Sequence, residues 1–214
     1  MIRPATMEDC EGLARLCYLA GQGQSTRSIY DLLFDGPRGM TDERTAAMAA
    51  VLGARHVCWL HHAHFLVAEV DGRVAAALSG LDREQNRTRD FVAALRETGW
   101  TDGDLAAMQG RIGPVTSVEP RHPDGAWRIE NVATFQEYRG RGLVGALLEE
   151  IVALGVERGH RVADLGCFIS NEPAIRAYER VGFRVTEEFT DRDFEEIFGC
   201  PGMCRMTLEK KGQT

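Results

Sequence analysis

The sequence is short of several things, and each shortage excludes a class. No stretch approaches the roughly 18 consecutive apolar residues that a membrane span needs. Pro numbers 7 in 214 residues, and the 23 Gly show no collagen period. Positive charge is in the minority: 25 Lys plus Arg stand against 32 Asp plus Glu, a formal net charge of −7. A nucleic-acid binder usually carries a basic face, so no nucleic-acid partner is expected. The first ten residues, Met1 to Cys10, lack the apolar core of a signal peptide. A cytoplasmic protein with no membrane partner is therefore expected. What the chain does have is 44% hydrophobic residues and 27% charged ones, too apolar for a disordered chain. At this length roughly 70% of the unfolded surface can be buried, so a single domain over residues 1–214 is expected.

Six cysteines, at 10, 17, 58, 167, 200 and 204, make an even count. Without a secretory leader the expectation is free thiols rather than disulfides. Cys200 and Cys204 are spaced C-x3-C with no second Cys/His pair nearby, so no metal is expected. His61, His62 and His64 cluster. They read as a solvated loop before a strand.

Ile2-Arg3-Pro4 reads as a short strand. Thr6 and Asp9 are placed to cap a helix whose apolar positions Leu13, Leu16, Cys17 and Leu19 keep a helical period, and Gly21 and Gly23 end it. A weaker helix is predicted from Ser25 to Phe34, then a chain break at Gly36-Pro37, then a helix capped by Thr41 and running to Leu52. Residues 64–70 and 73–81 keep period two around Asp71-Gly72, a two-residue hairpin turn. Residues 82–127 read as an insertion, helical near 91–95 and 105–108 and without clean period from Gly110 to Gly125. Trp127 to Phe135 reads as a strand. A helix stripe runs from Leu143 to Val156, ended by Gly159. Val162 to Ile169 is a strand, Asn171 is placed to cap a short helix ending near Gly182, and strands follow at 183–189 and 203–208.

Between the strand at 127–135 and the helix from 143 lies Glu137-Tyr138-Arg139-Gly140-Arg141-Gly142. A Gly-rich turn opening a helix is an anion site, because the first helical N–H groups lack partners and carry the positive end of the helix dipole. Arg139 and Arg141 add charged donors. No Gly-Lys-Ser/Thr follows, so this is not the loop of nucleotide triphosphatases. About 30 residues downstream stands Asn171-x-x-Ala174-x-x-x-Tyr178-x-x-x-Gly182-Phe183. The pair of motifs resembles the GCN5-related N-acetyltransferase (GNAT) superfamily. Its acetyl-CoA loop is matched by Arg139 to Val144, with Val144 where Gly or Ala is usual and Gln136 where a Pro is common. The close match covers about residues 129–186.

The resemblance implies an α/β (α+β) fold: a mixed, mostly antiparallel central sheet of six to seven strands flanked by helices, with the helical insertion between the hairpin and the cofactor-binding strand. It implies acetyl transfer from acetyl-CoA to an amine by direct attack in a ternary complex. The acceptor would be a small amine or a peptide N-terminus, and the protein a monomer or homodimer. The alternative is a CoA-binding sensor of the same fold. By resemblance Glu130, on the strand that lines the acetyl group in this family, is the candidate base; strand alternation puts Arg128, Glu130 and Val132 on one face unless a bulge intervenes. A carboxylate on the next strand is closed off, because Gly166 stands there. Tyr178 is the candidate acid toward the departing thiolate. By resemblance Val132 offers a main-chain N–H to the thioester, and Ala133 and Thr134 line the pantetheine arm. Gly140, Gly142, Leu143 and Val144 hold the pyrophosphate with the two arginines. Asn171 contacts the CoA arm or caps its helix, and Ala174 belongs to the same cofactor-contacting signature. Cys167 is expected to be structural rather than an acyl carrier. Gln22, Gln24, Tyr30 and the insertion are candidate acceptor walls. The acidic run Asp191, Asp193, Glu195 and Glu196 is expected to be a solvated face.

Overall fold

The computed structural model describes residues 1–34, 39–82 and 87–210. The expected break at Gly36-Pro37 lies outside them. One seven-stranded sheet runs through the described chain in the order β1-β2-β3-β4-β5-β7-β6. Its strands are β1 (Ile2–Pro4), β2 (Phe65–Val70), β3 (Arg73–Leu81), β4 (Trp127–Thr134), β5 (Val162–Phe168), β6 (Arg184–Thr190) and β7 (Gly202–Glu209). All neighbours pair antiparallel except β4 and β5. Asp71 and Gly72 both take positive φ, 51° and 73°, as their turn requires.

Alternation along β2 places the two cores. Phe65 and Val67 face one side with Leu13 and Leu16 of α1 (Cys10–Gln22) and Met48 of α3 (Asp42–Leu52). Leu66 and Ala68 face the other with Leu147 and Ile151 of α7 (Leu143–Glu157) and Phe183 after α8 (Glu172–Val181). Trp127 is the largest fully buried side chain. Its ring fits because Gly80 of β3 and Gly155 of α7 carry no Cβ. One added there would stand 2.7 Å and 2.6 Å from the indole.

The weak helix predicted from Ser25 shrinks to α2 (Tyr30–Leu33). A buried ion pair anchors it: Asp31 meets Arg44 of α3 at 3.0 Å and accepts from the Tyr18 hydroxyl at 3.0 Å. The insertion forms α4 (Thr88–Glu97), α5 (Asp102–Arg111) and α6 (Gly113–Val118). The last of these falls in the stretch where no period was legible. A further helix, α9 (Arg192–Phe198), occupies the connection between β6 and β7. Its Phe194 and Phe198 rings pack with Phe168 of β5. The acidic run sits on this helix, and most of it is exposed. Asp191 caps the N-terminus and Glu196 pairs with Arg192, so the run is a solvated face. His61 and His64 are buried, not solvated: a 3-10 turn folds them beneath the entry to β2, and burial pushes His64 down to about 4. The six cysteines are buried free thiols.

Candidate active site

The site is made where two strands part. β4 and β5 pair only from Trp127↔Ala163 to Ile129↔Leu165. Beyond Ile129 the parallel register ends, and the sheet opens a gap between them. On its other edge β4 slips against β3. Ala77 opposes Ala133 while Ser79 opposes Glu130, so β4 carries one extra residue. The bulge lies at Asn131, whose φ of 56° is unusual for a residue with a side chain but tolerated by Asn. Tyr30 donates its hydroxyl to Asn131 Oδ1 at 2.5 Å, and Asn131 Nδ2 donates to Ser79 Oγ at 3.4 Å. The bulge corrects the expected alternation. Arg128 and Glu130 remain neighbours, but Val132 turns to the other face and packs with the Trp127–Ile129 core, while Ala133 joins the α1 core.

A cavity of about 500 Å³ opens at this gap, with Glu130 and Tyr178 both on its wall. Glu130 is half-buried. Its Oε1 lies 2.5 Å from Arg128 Nη2, and its Oε2 is buried with no hydrogen-bond partner among the described residues. Burial raises its carboxyl above the ordinary range, and the Arg128 charge opposes that rise without cancelling it. Arg128 also holds Glu119 at 2.9 Å. Beside them the His122 ring bonds through Nδ1 to Asp164, a fully buried carboxylate of β5. Apart from the Arg128–Glu130 pair, this network was missed in the sequence. Its members come from the insertion, β4 and β5, and no local spacing links them.

Tyr178 stands on α8, 6% exposed, in the core beside Cys167 and Phe183. Burial, reinforced by the Cys167 and Cys204 thiols, pushes its phenol well above 10. Cys167 faces Cys204 across β5 and β7. A hydrogen bond with Cys204 and burial push its thiol far up, which leaves almost no thiolate and matches a structural role. Gly166 lies under Pro120 of the insertion: a Cβ there would stand 3.2 Å from its ring.

The Gly-rich turn sits at the N-terminus of α7. Gly140 and Gly142 take φ of 76° and 74°, a conformation a side chain would strain, and open space surrounds both. Arg139 and Arg141 are exposed. The former bonds to Thr134 O at 3.4 Å, and the latter lies over the Tyr138 ring. Leu143 and Val144 are half-buried and pack against the α7 core. The Val144 side chain therefore turns inward, away from the exposed glycines. The residues present fit a diphosphate: exposed helical N–H groups, a turn without Cβ atoms and two guanidinium groups.

Asn171 caps α8, accepting from Ala174 N at 3.4 Å, and also accepts from Gln24 Nε2 at 3.4 Å. Its contribution as a cap sets an expectation. Asn171→Ala should lower the stability of the ligand-free protein by about 1 kcal/mol, a fall of roughly 2–4 °C in thermal midpoint. An unchanged midpoint in calorimetry, with weaker CoA binding, would assign the side chain to the cofactor instead. Of the candidate acceptor walls, Tyr30 lines the cavity, while Gln22 ends α1.

The mixed sheet thus parts between its two parallel strands, and a Gly-rich turn opens the helix that follows β4. The chain belongs to the acetyltransferase (GNAT) family, whose family model matches residues 27–183. Among curated proteins it is similar to mycothiol acetyltransferase of Corynebacterium aurimucosum, 38% identical over 71 residues. That match spans 29% of this chain and 23% of the relative. Among solved structures it resembles an N-acetyltransferase from Staphylococcus aureus Mu50 (TM-score 0.70, 22% identity, covering 97% of this chain and 100% of that one). It also resembles yncA of Salmonella typhimurium, solved with its cofactor acetyl-CoA (TM-score 0.51, 18% identity, covering 100% and 95%). Among the described residues no helix is long and apolar enough to cross a membrane, and no three His, Cys, Asp or Glu side chains are grouped to hold a metal ion.

Proposed function

We propose that the chain is one N-acetyltransferase domain that moves the acetyl group of acetyl-CoA directly to a primary amine of a small molecule or a peptide N-terminus. The observation that carries this reading is the meeting of Glu130 and Tyr178 on one cavity at the β4–β5 gap.

Acetyl-CoA bound there supplies an activated acetyl thioester. Arg139, Arg141 and the N–H groups after Gly140 and Gly142 hold its diphosphate. Ala133, Thr134, Asn171 and Ala174 flank its arm, and the Val132 N–H serves as donor to the carbonyl oxygen. An alkylamine near neutral pH is almost wholly protonated, and the attacking form is neutral. Glu130 takes that proton, relayed by a water where its buried Oε2 is out of direct reach. Tyr178 donates its phenolic hydrogen bond to the departing sulfur. The phenol stays protonated because burial raises it, so it stabilises the thiolate as a donor rather than by full proton transfer. The nearly thiolate-free Cys167 supports direct attack over an acyl-Cys route. The packing of Val144 against the α7 core supports the enzyme over the sensor alternative, which rests on that side chain crowding the loop.

The test is thermal. Acetyl-CoA and free CoA at a hundred times Kd are each expected to stabilise the fold by about 2.7 kcal/mol, and ATP to do nothing. An amine that then releases free thiol identifies an enzyme. Binding without release across an amine panel supports the sensor, and no shift with either CoA form overturns both.

A further inference from the structure

Half of the cavity has no part in the chemistry above. Beyond Tyr30 and Glu130 its wall is built by the insertion: Phe91 of α4, Leu105 and Met108 of α5, and Ile112 and Val115 at α6. Trp59, ahead of β2, completes it, its ring centroid 5.0 Å from that of Phe91. Met108 is 6% exposed and unbranched, suited to mould itself to an apolar shape. Among the described residues the carboxylates on the cavity wall are Glu119 and Glu130, and both are tied to Arg128.

We infer that the acceptor is a small primary amine carried on an apolar body, an arylalkyl or alkyl monoamine seated against the Trp59–Phe91–Met108 wall. The inference rests on the acetyl-transfer reading of the same cavity and names its substrate class. Two alternatives meet physical objections. A polyamine would place its second ammonium against apolar rings with no counter-charge, and burying an unpaired charge is expensive. An amino acid would bring a carboxylate that needs a free cation. Arg128 is already held between two carboxylates, and His122 is held by Asp164. An apolar body meets neither cost, and each methylene buried on the wall is worth about fourfold in affinity. The insertion is therefore a specificity element: it roofs the acceptor half while the strands carry the chemistry.

The experiment is a rate comparison on the full chain with acetyl-CoA, read by thiol release, using 2-phenylethylamine, spermidine and aspartate. 2-Phenylethylamine is expected to exceed both others in kcat/KM by at least about tenfold. Across a series of n-alkylamines KM should fall about fourfold per methylene until the wall is filled. Spermidine or aspartate as the best acceptor, or a KM flat along the series, overturns the inference. A variant tests the placement. Gln109 of α5 is exposed and lines the same cavity, and Gln109→Glu adds a carboxylate with almost no change of volume. It is expected to raise kcat/KM for spermidine relative to 2-phenylethylamine about two- to fivefold, with the KM for acetyl-CoA unchanged. An unchanged ratio would put the acceptor elsewhere and overturn the inference. If acetyl-CoA binds and no amine is acetylated, the transfer reading fails by itself. Calorimetric titration of the amines into the CoA-loaded protein then reads the wall alone. Tighter binding of 2-phenylethylamine than of spermidine and aspartate sustains the apolar subsite, and equal, reversed or absent binding overturns it.

Discussion

Glu130→Gln is expected to lower kcat/KM near neutral pH by roughly 10²–10⁴-fold, the range over which positioned bases act. The substitution keeps shape and nearly keeps volume, so the β4 bulge and the cavity should survive it. What it removes is the acceptor for the amine proton. It should also erase the acid limb of the pH–rate profile. In the unsubstituted protein burial raises the Glu130 carboxyl, so this limb should lie above the ordinary carboxylate range. The sign follows from the roles: activity needs the ionised form and is lost as pH falls through the raised value. Full kcat at saturating amine with an unchanged pH profile in Glu130→Gln would make the residue an ion-pair partner of Arg128 and nothing more.

Tyr178→Phe is expected to lower kcat about a hundredfold while changing the Kd of acetyl-CoA by less than about twofold. The ring packs in the α7 core beside Cys167 and Phe183, and Phe preserves that packing. The hydroxyl alone is deleted. Because the buried phenol titrates well above 10, it is a donor throughout the working range, and its loss should move rate without adding a new limb to the pH profile. Equal losses in kcat and in cofactor affinity would show that the side chain supports the binding site by packing.

The parts of this site legible in the sequence are the ones made by near neighbours. The cradle needs Gly140 and Gly142 at positive φ directly before a helix, and that demand is met within a few residues. Tyr178 and Asn171 follow from one helical motif, and the cap bond is local too. The Asp71-Gly72 hairpin belongs to the same class. What escaped depends on partners far apart in the chain. The bulge at Asn131 is held by Tyr30, about 100 residues earlier, and Val132 changed faces because of it. An Asn in a strand, tolerant of left-handed φ, was the one available sign. Helix α9 and the buried His61 and His64 escaped for a related reason. Phe194 and Phe198 look like scattered apolar residues until Phe168 is placed beside them.

The sequence by itself determined the strands, the helices that carry the two motifs, the order of strand, cradle and helix, and the family, because propensity, turn chemistry and capping act over one to four residues. Only the tertiary structure decided that β4 and β5 part after Ile129, that Glu130 shares Arg128 with Glu119, and that the insertion lays an apolar wall over the gap. Those outcomes depend on which surfaces meet once the sheet closes. Burial, ion pairing and cavity shape are properties of that meeting and have no period in the chain.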